Sequence, residues 1–145
     1  MGDISKDIHS TFPSEKLKAL INIKYTANWI ESNQIAVFKP YGISPQQYNI
    51  LRILKGAKEP IKVQTIKDRM IERAPNATRL MDKLCAKNLI ERIGCESDRR
   101  VVHIEITQNG ISLLERIHEE YKNDLLKNLT NEEANQLSNL LDKIR

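Results

Sequence analysis

The stretch NATRLMDKLCAKNLIERIGCESDRRVVHIEITQNG, Asn76–Gly110, contains the change of period that decides the fold. In its first part Ala77, Leu80, Met81 and Leu84 cluster on one side of a helical wheel. Asn76, Arg79, Asp82, Lys83 and Ala86 populate the other side, with Thr78 at the margin. From Leu89 the pattern turns strand-like. Leu89–Ile93 is a short run, and Val102, Ile104 and Ile106 alternate with Val101, His103 and Glu105. The charged knot between them (Glu96, Ser97, Asp98, Arg99, Arg100) is therefore predicted to be the tip of a β-hairpin.

Upstream, a short helix is predicted around Val63–Ile71, with Ile66 and Met70 inward, and a second from Pro75 to about Asn88. Two short helices a few residues apart are the material of a helix-turn-helix, and a hairpin directly after them makes a winged helix. Before these, Ser44-Pro45-Gln46-Gln47 opens a helix: serine caps, proline takes the first turn, and glutamine three residues on completes a capping box. Its inward stripe is Gln47, Ile50, Leu51 and Leu54, and Gly56 reads as its stop.

A long helix is predicted over 14–38, ended by Lys39-Pro40-Tyr41-Gly42. Its apolar residues wrap more than one face, which calls for two partners, its own core and a second subunit. Downstream, Thr107 caps a long helix carrying Ile111, Leu114, Ile117, Tyr121 and Leu125. Thr130-Asn131-Glu132-Glu133 is a capping box for a last helix with the stripe Leu137, Leu140, Leu141 and Ile144. The fold is thus mainly α with a small β-hairpin wing, in one domain of 145 residues.

Composition bounds the function. Hydrophobic residues make up 40% and charged residues 29%, as in an ordinary soluble globular protein. No apolar run approaches the roughly 18–20 residues of a membrane span, and Met1–Thr11 is polar with no signal-peptide core, so a cytoplasmic location away from any membrane is expected. Cys85 and Cys95 are too few for a disulfide framework, and His9, His103 and His118 are scattered, so no metal and no cofactor is expected. No nucleophile motif or glycine-rich loop suggests an enzyme. The net charge is +4 with a pI near 9.1, which admits an acidic partner. Residues 1–60 carry eight basic and five acidic side chains, 61–110 ten and seven, and 111–145 five and seven, so the acidic end stands apart from the basic remainder.

A helix fits the DNA major groove, and outward Asn76, Thr78, Arg79 and Lys83 would meet base edges and phosphates there. Arginine reads guanine in bidentate fashion and asparagine reads adenine. A hairpin tip can reach the adjacent minor groove, whose negative potential attracts arginine. The bland alternative is a merely solvated charged face.

The same stretch resembles a known family in detail. Thr78-Arg79-Leu80, Asp82, Leu84, Lys87, Leu89-Ile90, Arg92, Asp98, Arg100, Thr107 and Gly110 match the pattern of the MarR (multiple-antibiotic-resistance regulator) family of dimeric winged-helix transcription factors. The chain departs from that pattern at Asn88, where glycine is usual, and in lacking the glycine and the Ser/Thr cap ahead of the recognition helix. The resemblance implies that Arg100 enters the minor groove with Asp98 bracing its guanidinium, while Arg99 meets phosphate or solvent. It also implies a homodimer built from segments 14–38 and 108–145 around a DNA-binding lobe, 44–107. A pseudo-palindromic operator and repression relieved by a ligand are implied as well.

Tyr25, Trp29, Tyr48 and Arg52 are candidates for lining a pocket between the dimer helices and the DNA-binding lobe, where relatives often bind aromatic carboxylates; the alternative is that they are core or dimer contacts. Cys95 lies beside arginines that could lower its pKa. Peroxide-sensing relatives carry their cysteine near the start of the first helix instead, so Cys95 reads as an incidental thiol and Cys85 as core filler. The expectation is a sequence-specific double-stranded DNA-binding regulator with a small aromatic or anionic effector. The competing readings are a winged-helix protein–protein interaction module and a DNA-binding protein with no effector.

Overall fold

A computed structural model describes residues 2–94, 97–98, 100–122 and 124–145. Around the central helix α3 (Pro45–Ala57) stand α2 (Glu15–Phe38), α4 (Val63–Arg69), α5 (Ala77–Ala86) and α6 (Gln108–Glu120). Strand β3 (Val102–Ile106) also packs on α3. The capping box at Ser44 forms as the sequence indicates: the Ser44 hydroxyl accepts the Gln47 N–H at 3.1 Å, and the Gln47 side-chain oxygen accepts the Ser44 N–H at 3.0 Å. All four residues of the expected stripe, Gln47, Ile50, Leu51 and Leu54, are buried. Ile66, Met81, Leu84, Ile90, Ile104 and Ile117 close over them, so one core joins every element of the winged helix.

Strands β2 (Ile90–Gly94) and β3 form the antiparallel hairpin. A third strand, β1 (Ile61–Lys62), pairs with the free edge of β3, with Ile61 opposite Ile104 and Lys62 opposite His103. The sheet order is β1-β3-β2, which puts β3 in the middle. Two residues are too few to show a period, so β1 was not legible in the sequence. Neither was the short helix α1 (Ile4–Asp7), capped by Asp3.

Several boundaries differ from expectation, among them that of α4, which ends at Arg69 instead of Ile71. Helix α3 runs through Gly56 to Ala57, and Lys58 takes the left-handed conformation (φ +58°) that ends it. Helix α5 starts at Ala77, which leaves Asn76 at its N-cap, with no side-chain capping bond. Helix α6 stops at Glu120, so Tyr121, its C-cap, and Leu125 lie outside it. Two causes act there. Glu119 and Glu120 crowd the negative end of the helix dipole, and the Asp124 carboxylate takes the Leu126 N–H at 2.8 Å in a local turn that competes with helix.

Helix α7 (Asn131–Asp142) begins with the expected Thr130–Glu133 capping box. It buries no residue and exposes Leu137 and Leu140, while Ile144, expected on its stripe, lies beyond its end at Asp142 and is also exposed. Helix α2 buries only Phe38 and exposes Leu17, Leu20, Ile23 and Trp29.

Candidate nucleic-acid interface

Helix α5 divides sharply. Ala77, Met81 and Leu84 are buried, while Thr78, Arg79, Asp82 and Lys83 are exposed. Arg79 and Lys83 lie four residues apart, one above the other on the outer face. Asn76 is exposed just ahead of them on the capping residue, outside the helical face where it was expected.

The recognition helix is tied to the wing by an ion pair between the Arg92 guanidinium on β2 and the Asp82 carboxylate. The hydrogen bond from Arg92 to Asp82 raises the arginine's pKa above its ordinary value. Arg92 was not assigned to the site from sequence, because ten residues separate it from Asp82 and only the strand's return brings them together. Behind this pair, Cys85 is half-buried. Burial pushes its thiol up, against the neighbouring Arg92 charge, with Asp82 adding to the rise. That supports the reading of Cys85 as filler. Cys95 and Arg99 lie outside the described residues.

At the hairpin tip, the Asp98 carboxylate accepts the backbone N–H of Arg100 at 2.9 Å, and the Asp98 carbonyl accepts the Val101 N–H at 3.1 Å. Among the described residues the ion pairs are Arg92–Asp82 and Arg145–Asp142, so Asp98 does not brace the Arg100 guanidinium as expected. A carboxylate two residues before an amide closes a local turn, and that bond takes precedence over the exposed side-chain pair. Asp98 thus shapes the tip, and Arg100 projects from it, exposed.

The end of α5 is welded to the start of α6. Asn88 takes the left-handed conformation (φ +57°), which lets the Leu89 N–H return to the Leu84 carbonyl at 3.0 Å. The Thr107 N–H then donates to the Leu89 carbonyl at 3.1 Å, and its hydroxyl donates to the Asn88 carbonyl at 2.6 Å. The same hydroxyl accepts the Gly110 N–H at 3.1 Å, capping α6. Gly110 is required by contact: a Cβ there would lie 2.3 Å from the Leu89 carbonyl oxygen.

A cavity of about 310 Å³ opens between the C-terminal end of α2, the first turns of α3 and the α4–α5 turn. Phe38, Tyr48, Asn49, Arg52 and Glu72 are among its walls, and the Tyr48 ring stacks on Phe38 with centroids 4.4 Å apart. Tyr48 and Arg52 are thereby brought together. Tyr25 and Trp29 do not line this cavity. Trp29 sits nine residues before Phe38, roughly 13 Å back along α2, and both aromatics are exposed. Among the described residues no group of His, Cys, Asp and Glu could hold a metal ion, and no helix is long and apolar enough to cross a membrane.

A profile of the MarR family matches residues 43–102, from the entrance of α3 to the start of β3. The regulator PecS of Dickeya dadantii is 30% identical over 113 residues, covering 74% of this chain and 68% of PecS. The chain belongs to the MarR family. MhqR of Bacillus subtilis, also an HTH-type transcriptional regulator, is 27% identical over 135 residues, covering 90% and 91% of the two chains. The fold matches that of a cysteine-to-serine mutant of MarR from E. coli, crystallised with operator DNA, with a TM-score of 0.76 at 24% identity, covering 92% and 99%. Within the MarR pattern, Asn88 stands where glycine is usual, and its left-handed backbone explains why asparagine suffices.

Proposed function

We propose that this MarR-family transcriptional regulator binds double-stranded DNA sequence-specifically as a cytoplasmic homodimer and represses from a pseudo-palindromic operator. The observation that carries the reading is the division of α5: one face is wholly in the core, and the other offers Thr78, Arg79 and Lys83 to solvent, with Asn76 at the leading end. The exposed Arg100 on the hairpin tip extends this basic surface, supporting a second contact in a neighbouring groove. The MarR mutant of the same fold was crystallised on operator DNA, which agrees with this use of the surface.

Surface area supports the dimer. A compact monomer of 16.7 kDa has about 7,600 Å² of accessible surface, whereas this protomer has 10994 Å². The excess is on the scale of an obligate interface. It coincides with the apolar side chains left open on α2 and α7, within segments 14–38 and 108–145. Two recognition helices about 34 Å apart would then read successive major grooves.

In this cavity the Tyr48 ring and the Arg52 charge favour a small aromatic anion, against the Glu72 carboxylate that the Gln46 amide holds in the same wall. Such a ligand would release DNA by favouring a dimer with misplaced recognition helices. The test is selection of DNA fragments from a random pool by the purified protein, followed by titration across salt. A recurrent palindrome, with affinity falling about 0.9 log units per log unit of salt for each phosphate neutralised, is the expected result. Absence of sequence preference at any salt would instead favour a protein-interaction module. Operator release by benzoate that is lost in Arg52→Ala checks the effector site.

A further inference from the structure

Gln47 is the one polar side chain that is fully buried among the described residues, at 5% exposure, and its capping box accounts for only part of its bonding. Its side-chain oxygen takes the Ser44 N–H, while its NH₂ group donates to the Leu80 backbone carbonyl in the middle of α5, at 3.4 Å. One amide therefore finishes the start of α3 and reaches α5 through a long bond. Two neighbours on α3 reach the approach to that helix. The Asn49 side-chain oxygen accepts the Ile71 N–H at 3.0 Å, and the Gln46 NH₂ donates to the Glu72 carboxylate at 2.9 Å. Gln46, Asn49, Ile71 and Glu72 all line the Tyr48–Arg52 cavity.

We infer that Gln47, with Gln46 and Asn49, is a positioning residue of the DNA-binding surface: this polar clasp on α3 fixes where α5 sits and links it to the cavity wall. The physics favours a role beyond packing. Apolar contacts on the buried face of α5 are tolerant of sliding, whereas a directional bond to one carbonyl selects a rotation and a height for the helix. A leucine or methionine would fill the same space but leave the Ser44 N–H without its acceptor and α5 without the tie. A ligand that competes for Gln46 or Asn49 loosens the α4–α5 turn and leaves Gln47 as the remaining tie.

This inference rests on the DNA-binding reading, and its test separates the two. The variants are Gln47→Glu, Gln47→Met and Ser44→Ala. Each is compared with the wild type by amide hydrogen exchange over residues 77–86 and by affinity for a palindromic fragment selected by the wild type, between about pH 5 and 8. Glutamate keeps an oxygen for the Ser44 N–H but, when ionised, presents a second acceptor to the Leu80 carbonyl. When protonated it donates to that carbonyl again. Gln47 also borders a second groove, distinct from the Tyr48–Arg52 cavity, and Glu31, Lys39, Lys83 and Lys87 lining that groove also act on this carboxyl.

Gln47→Glu is expected to bind about tenfold more weakly than the wild type at the high-pH end, a deficit of roughly 1.4 kcal/mol that shrinks as pH falls. Protection of α5 should follow the same curve. Gln47→Met should lose protection and affinity equally at every pH. Ser44→Ala should lower the melting temperature, with α5 protection and relative affinity kept. The inference is overturned if Gln47→Glu tracks the wild type at every pH in both measurements, or if Ser44→Ala reproduces its losses. If the wild type selects no DNA, the DNA-binding reading falls, and the exchange data still decide whether Gln47 holds α5.

Discussion

The Asp82 carboxylate on the recognition helix and the Arg92 guanidinium on the first wing strand form an ion pair, joining the two elements that carry the candidate DNA contacts. Both side chains are about half exposed, at 54% and 45%, so the pair contributes little to stability. It links α5 directly to β2. Arg92→Ala is expected to change unfolding free energy by no more than about 1 kcal/mol. Operator affinity should fall by up to about fivefold, the most that a pair worth about 1 kcal/mol can contribute. Denaturant unfolding and DNA titration of the same preparation measure both, and a large stability loss with normal DNA binding would reverse the assignment.

The bond from the Asp98 carboxylate to the Arg100 N–H gives a second expectation. An amide oxygen accepts such a bond as a carboxylate does, so Asp98→Asn should bind operator nearly as the wild type does, while Asp98→Ala should weaken binding. Arg100→Ala should cost about 1–3 kcal/mol of binding with the dimer unchanged by light scattering. A strong defect in Asp98→Asn would show that the negative charge, rather than the turn, is what matters.

Gly110→Ala is expected to destabilise the fold by about 2–4 kcal/mol, because its new methyl group meets a backbone carbonyl that the Thr107 bonds hold in place. The denaturation midpoint checks this. An unchanged midpoint would mean that the junction between α5 and α6 yields more easily than its bonds indicate.

Cys85 should resist modification. Burial raises its thiol pKa, so at neutral pH it should react with a thiol reagent more slowly than a free cysteine, and at the free rate once the chain is unfolded. The variant Cys95→Ser isolates the signal. The sign for stability follows: the unfolded thiol ionises first, so this contribution is intact below the unfolded pKa and is lost as pH rises through the folded one.

Lys58 holds a left-handed backbone that costs a lysine about 1 kcal/mol relative to glycine. Lys58→Gly should therefore raise the melting temperature slightly despite the added freedom of the unfolded chain. A lowered melting temperature would contradict this.

The elements that could be read from sequence were those whose signals are local. Ser44 and Gln47 lie within one turn, so their capping box was visible, and the shift of period after Leu89 announced the hairpin. What could not be read were choices between competing partners. Asp98 could bond an amide or a guanidinium, and the turn geometry decided. Asp124 could sit in a helix or cap a turn, and it ended α6 early. Tyr48 and Trp29 looked equivalent as pocket aromatics, and only the packing of α3 on Phe38 separated them. Gln47 was recognised as a cap but not as a tie to Leu80, since nothing in the sequence relates positions 33 residues apart.

The central place of β3 in its sheet has a mechanical consequence. The strand spans about 17 Å, from the hairpin tip at one end to the Thr107 junction with α6 at the other; β2 flanks it throughout, and β1 flanks it at His103 and Ile104. A strand held in mid-sheet resists bending, which couples its two ends. On the proposed reading, a tip seated in one groove would pass its displacement along β3 toward α6, so an ill-spaced pair of half-sites would strain the junction of the proposed dimer as well as the tip.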